Sequence, residues 1–410
     1  MSDYDKNKSF VELLGKQIVF IHDPITLPGL ERIRTTVKGI DKYDRVIPIT
    51  RKNDVILLKQ KPEKEYLNWL KKVNLGFGKI IVLKGSADTS LPERVIKNKL
   101  KNKFSKLFNN EQVVSPYYGG ELEKKASDYL GLKIYANLKV VKKLNSKIFF
   151  KNLCQQANIL TVEGELFNSN EGKEKLYYLV KKVSKYTGKV IVRGEYGASA
   201  SNTKVIKQLS MRIITEIIDK CEKNESYLIE PYYDIINSPS SLWFIDKNKK
   251  IYHLRTSDQI LNGTTHEGNS YPCKCEQQIN KVAYKLVKEI AKKNFIGALG
   301  LDFIKTKKGI IYPIECNPRI TGASYPWEIL KLIEKKGKIP FAKSQNIKVS
   351  NKLKFKDLLK KWKKNMYDGT KTVGIIVPFN VGPISEGKIT VLVTGKNEKE
   401  VDKILNNIKI

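Results

Sequence analysis

The chain of 410 residues is long enough for two or three domains, and its hydrophobic content of 41% is typical of a globular protein. It contains no apolar run of about 18 residues and no signal-peptide pattern, so we expect neither a membrane span nor secretion, and we predict a cytoplasmic location. The formal net charge of +34 favours an acidic partner such as a nucleic acid or an acidic protein. However, the lysines are spread along the whole chain, and arginines, which recognise phosphates and bases, are few. We therefore expect a solvated basic surface rather than a nucleic-acid-binding stripe.

The five cysteines are odd in number and mostly lie in apolar segments, which favours reduced thiols. Cys273 and Cys275, separated by one lysine, could supply half of a metal site. Because no second cysteine pair exists to complete it, we expect no zinc there.

The first part of the chain alternates β-rich apolar runs with helical patterns. Strands are predicted at residues 17–22, 55–59 and 80–83, and a Lys-rich amphipathic helix at 91–107. Such alternation predicts a parallel, doubly wound sheet. Residues 23–30 follow the first strand, where open α/β sheets usually bind ligands, although the dinucleotide fingerprint G-x-G-x-x-G is absent.

A second unit begins near residue 142, with Asn145 or Ser146 as the candidate cap of its next helix. A buried strand at 190–192 then runs into Arg193 and a loop of small and polar residues that ends at Asn202. Backbone N–H groups of such a loop can approach a polyphosphate, and Lys147 and Arg193 could neutralise its oxygens. An ordinary surface hairpin is the alternative for this loop.

The strand predicted at 227–230 ends in Glu230, which Pro231 follows. A purine needs an acceptor for its exocyclic amine and a donor for a ring nitrogen, and the Pro231 carbonyl and the Tyr233 N–H can supply both. Without further signals, this segment is only a strand end. Strands at 241–245 and 251–254 and helices at 213–218 and 279–293 complete the pattern of this unit.

Two β-rich runs on either side of Lys308 and Gly309 predict a hairpin that places Asp302 opposite Glu315. Because strand side chains alternate, Asn317 shares the face of Glu315, and Arg319 joins them if the chain stays extended. Because like charges opposite each other destabilise a sheet, we expect a cation between these two acids. Hard oxygen ligands favour Mg2+ or Mn2+. Since Mg2+ usually also binds substrate phosphates, a nucleotide is the expected partner. The alternative is a surface hairpin with its acids in solvent.

The order of these motifs resembles the ATP-grasp fold over about residues 140–345, and the unit before it resembles the pre-ATP-grasp domain. The implied fold class is mixed α/β and α+β. Residues 1–140 would be a doubly wound pre-ATP-grasp domain, 141–345 an ATP-grasp domain of two α+β subdomains, and 346–410 a small C-terminal α+β extension. In that family the nucleotide lies between the two subdomains and Mg2+ is held by the acidic hairpin.

Three short stretches are similar to peptide ligases of the pheganomycin type, namely Leu27-Pro28-Gly29-Leu30-Glu31, Ser238-Pro239-Ser240 and Ser257-Asp258-Gln259-Ile260-Leu261. The resemblance implies that the metal ligands are Asp302, Glu315 and Asn317. It implies that the ATP-binding residues are Lys147, Arg193, Gly197, Ser199, Glu230, Pro231 and Tyr233. Arg319 would steady the charge that develops during the reaction, Asp258 and Gln259 would contact the substrate, and His266 is either a general base or a loop residue that shapes the pocket.

One departure from the family is Arg193, because many ATP-grasp enzymes have a lysine at the end of this strand. The guanidinium of arginine is broader than an ammonium group and permanently charged, so it can also bind phosphate, and activity is not excluded. The residue that would contact the ribose, usually an acid in this family, is also not determined, and Asp234 and Asn237 are the candidates.

The resemblance implies an ATP-dependent carboxylate–amine ligase that works through an acyl phosphate and releases ADP and phosphate. Its substrates would be small-molecule or peptide carboxylates and amines. One alternative is a ligase for an acidic carrier protein, steered by the lysines of residues 352–364. Another is a basic nucleic-acid-binding protein on a degenerate ATP-grasp scaffold. The oligomeric state stays open, although homodimers are common in this family.

Overall fold

The computed structural model describes residues 4–6, 8–30, 39–103, 107–109, 111–197 and 202–408. The N-terminal elements are β1 Asp5–Lys6, α1 Phe10–Leu14, β2 Ile18–Ile21, β3 Val55–Leu58, α2 Lys64–Lys72, β4 Lys79–Val82, α3 Leu91–Lys97, α4 Leu100–Lys103, β5 Val113–Pro116, α5 Glu121–Leu130 and β6 Lys133–Ile134. Strands β2 to β6 form a parallel five-stranded sheet in the order β4-β3-β2-β5-β6. In β2, Phe20 packs into one core and Val19 into another, as expected of a strand that is covered on both faces. The predicted doubly wound sheet is confirmed.

The predicted continuous helix over residues 91–107 is wrong. Helix α3 begins at a capping box of Ser90 and Glu93 and ends at Lys97, and α4 begins three residues later. Between them Lys99 has a φ of 50°, a left-handed conformation that ends a helix. The lysine pattern continues through this break because its charges lie on the surface, so the pattern alone does not reveal where the helix ends.

The next unit is an antiparallel sheet with helices on one side. Its elements are α6 Leu138–Leu144, α7 Lys147–Gln156, β7 Glu165–Asn168, α8 Gly172–Thr187, β8 Val190–Gly194, β9 Thr203–Ile206, α9 Met211–Ile218 and β10 Ser226–Pro231. The four strands pair in the order β7-β10-β8-β9, and we call them the small sheet. Helices α8 and α9 pack on it around Val180, Val192 and Ile214. Ser146 is the cap of α7, since its Oγ accepts from the Phe149 N–H at 3.1 Å.

The rest of the chain builds a ten-stranded sheet, which we call the large sheet. Its elements are β11 Ile235–Asn237, β12 Pro239–Ile245, β13 Ile251–Asn262, β14 Thr265–Tyr271, α10 Glu276–Lys292, β15 Gly297–Thr306, β16 Ile311–Asn317, α11 Ser324–Glu334, β17 Phe341–Lys348, α12 Phe355–Lys361, β18 Ile376–Asn380, β19 Lys388–Gly395 and α13 Glu398–Ile408. The strand order is β11-β15-β12-β13-β14-β17-β19-β18, with β16 paired to β15 and β1 paired to β13. Strands β17 to β19 thus continue the sheet that β11 to β16 begin. The expected order of a doubly wound unit followed by α+β units is confirmed, while the boundaries near residues 140 and 345 stay predictions.

One core joins the first sheet to the large sheet and contains residues from both, among them Phe20 and Trp243. The buried carboxylate of Glu328 in α11 strengthens this junction, because it accepts from the Ser9 Oγ and, at 2.8 Å, from the Phe10 N–H. None of the helices that the structure describes is long and apolar enough to cross a bilayer.

Glu328 is expected to make stability depend on pH. Burial raises the pKa of Glu328 from 4.5 to about 7, so between these values the folded protein binds more protons than the unfolded chain and loses stability as the pH rises. Glu328→Gln is neutral at every pH. As the pH rises from 4.5 to about 7, the free energy of unfolding of the variant should therefore increase relative to that of the natural protein, by up to about 1.4 kcal/mol for each pH unit. Urea denaturation at several pH values measures this difference.

The matched control is Glu121→Gln, which changes an exposed carboxylate at the start of α5. This control should leave the slope of stability against pH unchanged. Parallel curves for Glu328→Gln and the natural protein would show that Glu328 does not titrate in this range.

Candidate active site

The hairpin of β15 and β16 places the two predicted acids opposite each other. The strands pair with Asp302 facing Glu315 and Gly300 facing Asn317, so the predicted opposition is confirmed. The hairpin turn closes where the Gly309 N–H donates to the Thr306 carbonyl at 2.8 Å. Gly309 has a φ of 79°, a conformation that glycine adopts at little cost.

The acids of the hairpin are connected to an amide and to two basic groups. Asn317 Nδ2 donates to Asp302 Oδ2 at 2.8 Å, and Arg319 Nη2 donates to Asn317 Oδ1 at 2.6 Å. Glu315 Oε1 lies 3.1 Å from the Nζ of Lys147, at the start of α7. The structure thus brings together the five residues that the sequence predicts for the metal and its surroundings.

The pKa values of the two acids shift in opposite directions. Burial, together with the nearby charge of Glu315, raises the pKa of Asp302 to about 7. Burial would also raise the pKa of Glu315, but Lys147 above all, with Arg193 and Arg319, holds it below the ordinary value. A divalent cation beside both carboxylates would favour their ionised forms. Carboxylate and amide oxygens are ligands that Mg2+ prefers, so this donor set fits Mg2+.

Glu230 at the end of β10 is the centre of a buried ion cluster. Its Oε2 accepts from Arg193 Nε at 3.1 Å and from Arg193 Nη2, and its Oε1 lies 2.7 Å from Lys151 Nζ. Burial opposes the charge of Glu230, but Arg193 and Lys151 hold its pKa below the ordinary value. Arg193 Nη1 also donates to the Ile314 carbonyl at 2.9 Å, which links the small sheet to the hairpin. Both carboxylate oxygens of Glu230 therefore hold protein cations in place, and its predicted contact with ATP stays a prediction.

A cavity of about 570 Å³ lies between the small sheet, the large sheet and the N-terminal unit. Twelve of the predicted site residues line it: Lys147, Arg193, Gly197, Glu230, Pro231, Tyr233, Gln259, His266, Asp302, Glu315, Asn317 and Arg319. Ser199, which is predicted to bind ATP, lies outside the described residues.

The cavity wall near the predicted adenine position includes Pro231 and Tyr233. The Tyr233 ring stacks on Tyr312, with ring centroids 5.6 Å apart and an angle of 17° between the rings. On the phosphate side, a Cβ added to Gly29 would lie 2.9 Å from the Gly197 Cα. Glycine at position 29 thus lets the N-terminal unit approach the predicted phosphate loop.

The structure separates the two predicted substrate contacts on β13. Gln259 lines the cavity and its Oε1 accepts from the Ser238 Oγ at 2.9 Å. Asp258 does not line the cavity, because neighbouring side chains of a strand point to opposite faces. Its carboxylate instead accepts from Asn237 Nδ2 at 2.6 Å and from the Lys274 N–H at 2.9 Å. The prediction that Asp258 contacts the substrate is therefore corrected.

His266 lies in strand β14, not in the loop expected from its sequence. One of its ring nitrogens, Nε2, lies 2.9 Å from Asn269 Oδ1. Burial lowers the pKa of His266 to about 4, so the ring is neutral near pH 7. With this low pKa the ring is a weak base near pH 7, and its place in the cavity wall lets it shape the pocket, so both predicted roles stay predictions.

The residues that the first and last parts of the chain add to the cavity were not predicted from the sequence. They are Tyr43, Arg45, Tyr117, Asn346, Asn380 and Lys388. No spacing rule connects such distant positions. The one signal was Arg45 itself, an arginine in a chain whose basic residues are mostly lysines.

Removing the carboxylate of Glu230 should destabilise the fold strongly. Glu230→Ala would leave the charges of Arg193 and Lys151 buried without a partner, which typically costs about 3–5 kcal/mol. The measurement is the free energy of unfolding in urea. The matched control is Asp234→Ala, which removes an exposed acid paired with Lys189 and should have little effect. Equal effects of the two substitutions would argue against a buried ion cluster.

The comparisons with known proteins agree with this geometry. Residues 177–323 match the ATP-grasp domain family, and no curated protein matches the chain. The fold is similar to that of N5-carboxyaminoimidazole synthetase from Staphylococcus aureus complexed with ADP, with 13% identity, 99% of each chain covered and a TM-score of 0.55. It is also similar to biotin carboxylase from Campylobacter jejuni, with 12% identity, coverage of 95% of this chain and 89% of that chain, and a TM-score of 0.59. The biotin carboxylase domain of the Hydrogenobacter thermophilus 2-oxoglutarate carboxylase gives 15% identity, coverage of 96% and 89%, and a TM-score of 0.59. Residues 177–323 of this chain therefore form an ATP-grasp domain, and the chain as a whole has the fold of these three proteins.

Proposed function

We propose that this chain joins a carboxylate to an amine, that the carboxylate is first phosphorylated by ATP, and that ADP and phosphate are released. The observation that carries the proposal is the opposed pair Asp302 and Glu315, which lines a large cavity together with the basic groups of Lys147, Arg193 and Arg319. Phosphoryl transfer between ATP and a carboxylate brings several negative charges together. A cavity that combines acids for a metal with cations for phosphate suits that reaction.

The residues for the nucleotide lie around one end of the cavity. We assign the adenine to the Pro231 carbonyl and the Tyr233 N–H, and the phosphates to Lys147, Arg193 and the loop that includes Gly197. Ser199 completes this assignment as a prediction, since it lies outside the described part of the chain.

Asp302, Glu315 and Asn317 would hold Mg2+. When bound there, the metal would neutralise charge on the transferring phosphate.

Arg319 is the residue that we assign to the developing charge of the acyl phosphate and of the tetrahedral species after amine attack. Its Nη2 is held by Asn317 Oδ1, while its Nε is buried without a hydrogen-bond partner among the described residues. A buried donor without a partner is costly, so this N–H is available to a substrate oxygen. Its guanidinium lies 5.5 Å from the Tyr117 ring centroid, which helps to fix its direction.

Peptide or amino-acid substrates are supported by where the three stretches similar to pheganomycin-type ligases lie. Leu27 and Leu30 of the first, Ser238 and Ser240 of the second, and Gln259 of the third line the cavity. The stretches that distinguish the subfamily thus face the same space as the predicted chemistry.

The end of the cavity formed by Arg45 and Lys388 supports a substrate with its own negative group. Neither residue forms an ion pair with the described part of the chain, and Arg45 Nε has no hydrogen-bond partner there. Arg45 lies beside His266, since a Cβ at Gly322 would come within 3.1 Å of Arg45 Nη1 and 3.6 Å of His266 Cε1. We therefore place the carboxylate substrate between this basic end and the acidic hairpin.

A carrier protein as the acceptor is a second candidate. Its support is a row of exposed lysines on and around α12, which would attract an acidic partner. They are Lys352, Lys354, Lys356, Lys360, Lys361, Lys363 and Lys364. A homodimer and a cytoplasmic location stay predictions.

Turnover with ATP tests the proposed reaction. The purified chain, supplied with ATP, Mg2+, pooled amino acids and short peptides, should release ADP and phosphate and form a product with the summed mass of two substrates minus water. Glu315→Ala should be inactive because it removes a predicted metal ligand. Glu289→Ala removes a carboxylate from the surface of α10 and should retain full turnover.

Three other results would change the proposal. AMP and pyrophosphate in place of ADP and phosphate would exclude the acyl phosphate. Turnover only after addition of an acidic carrier protein would select the second candidate. Salt-sensitive binding of DNA or RNA without any ATP turnover would select a nucleic-acid-binding protein on this scaffold.

Arg45→Ala tests the placement of the carboxylate. Losing a charge-assisted hydrogen bond to the substrate should raise KM for the carboxylate by roughly tenfold to a hundredfold, with KM for ATP unchanged. Arg212→Ala, at an exposed arginine on α9, should change neither constant. Equal increases of both KM values for Arg45→Ala would place Arg45 at the nucleotide instead.

A further inference from the structure

A second cluster of ligand-type side chains lies on the side of β13 that faces away from the cavity. Asp258, Cys273 and Cys275 each offer one ligand atom, and these atoms all lie within 4.8 Å of one another. The three residues are buried, with exposures of 8%, 7% and 7%. The reaction proposed above uses none of them.

The distances in this cluster match those between ligands of a tetrahedral ion. The Sγ atoms of Cys273 and Cys275 lie 3.9 Å apart, and Cys273 Sγ lies 3.4 Å from Asp258 Oδ1. Zinc with Zn–S bonds of about 2.3 Å and Zn–O bonds of about 2.0 Å places two sulfurs roughly 3.8 Å apart, and sulfur and oxygen roughly 3.5 Å apart. A disulfide would require about 2.05 Å between the sulfurs.

Asn237 in β11 supplies a fourth group at the same place. Its Nδ2 lies 2.6 Å from Asp258 Oδ1 and 3.4 Å from Cys275 Sγ. Its Oδ1 is buried and has no hydrogen-bond partner among the described residues. Rotation of this amide by half a turn would direct the unpartnered oxygen at the cluster.

The surroundings also favour a bound cation. The Lys274 N–H donates to Asp258 Oδ2 at 2.9 Å and fixes the carboxylate, which has no ion-pair partner in the part of the chain that the structure describes. Cys275 is the cap of the 17-residue helix α10, and the N-terminus of a helix favours a thiolate. Thiolate ligands select zinc over Mg2+.

We propose that Asp258, Cys273 and Cys275 bind a structural zinc ion, with Asn237 in the fourth position. Binding displaces the protons of the two thiols and ties β11, β13 and the start of α10 together. The sequence alone predicts no zinc here because it contains no second cysteine pair. The structure instead brings in a carboxylate from 15 residues upstream of Cys273. Because Gln259 follows Asp258 directly, the ion would also fix the strand that forms one wall of the cavity.

The first test is a metal titration of the full chain after removal of bound metal with a chelator. Added Co2+ should produce thiolate-to-cobalt charge-transfer absorption, and an equal amount of Zn2+ should abolish it. In a second measurement, zinc-loaded protein is desalted in excess Mg2+. Elemental analysis should then find about one zinc ion per chain. This titration uses the natural sequence, so it does not depend on whether any variant folds.

Variants then assign the ligands. Cys273→Ser and Cys275→Ser should each lose the charge-transfer absorption and retain no zinc. Asn237→Ala should bind zinc about tenfold to a hundredfold more weakly. Cys221→Ser, at a cysteine remote from the cluster, is the matched control and should bind metal like the natural protein.

Three results would overturn the proposal. The first is a titration of the natural protein that shows no charge-transfer absorption. The second is full metal binding by a chain that carries both Cys273→Ser and Cys275→Ser. The third is a disulfide between these two cysteines in protein kept under reducing conditions. Zinc binding does not depend on ligase turnover, so each proposal can fail without the other.

Discussion

The structure of the site depends on one electrostatic constraint, which is that the hairpin holds Asp302 directly opposite Glu315. Like charges in this position destabilise a sheet unless cations compensate them. The compensation comes from outside the hairpin strands. Lys147 at the start of α7 pairs with Glu315, and the nearby charge of Arg193, which donates to the Ile314 carbonyl, adds to it. The same contacts hold the small sheet against the large sheet. The acids that would bind a metal therefore also determine where the two halves of the cavity meet.

Strand β13 shows how one segment can serve two sites. Its side chains alternate, so Gln259 faces the cavity and Asp258 faces the two cysteines before α10. A slip of one residue in the pairing of this strand would exchange the two faces. The register of β13 against β12, in which Asp258 pairs with Pro239, thus decides which side chain belongs to which site. If zinc is bound as we propose, it would stabilise this register from the side opposite the substrate.

How much was predictable follows from how local each feature is. The opposed acids were predictable because a tight turn and a period of two determine which residues of a hairpin face each other. The break of the helix at Lys99 was not, because the surface lysines continue the pattern on both sides. The side of β13 that carries Asp258 depends on pairing with other strands, which the sequence does not show. Arg45 and Lys388 meet in the cavity from opposite ends of the chain, so only the folded structure brings them together.

The arginine at position 193 can be explained by counting hydrogen-bond donors. A guanidinium has five N–H groups, and here three of them are directed at Glu230 and the Ile314 carbonyl. Two N–H groups are left for phosphate oxygens. A lysine has three donors in all, so making the same three contacts would leave none for a nucleotide. Arginine at this strand end can therefore hold the two sheets together and still bind phosphate, which a lysine could do only by giving up one of these contacts.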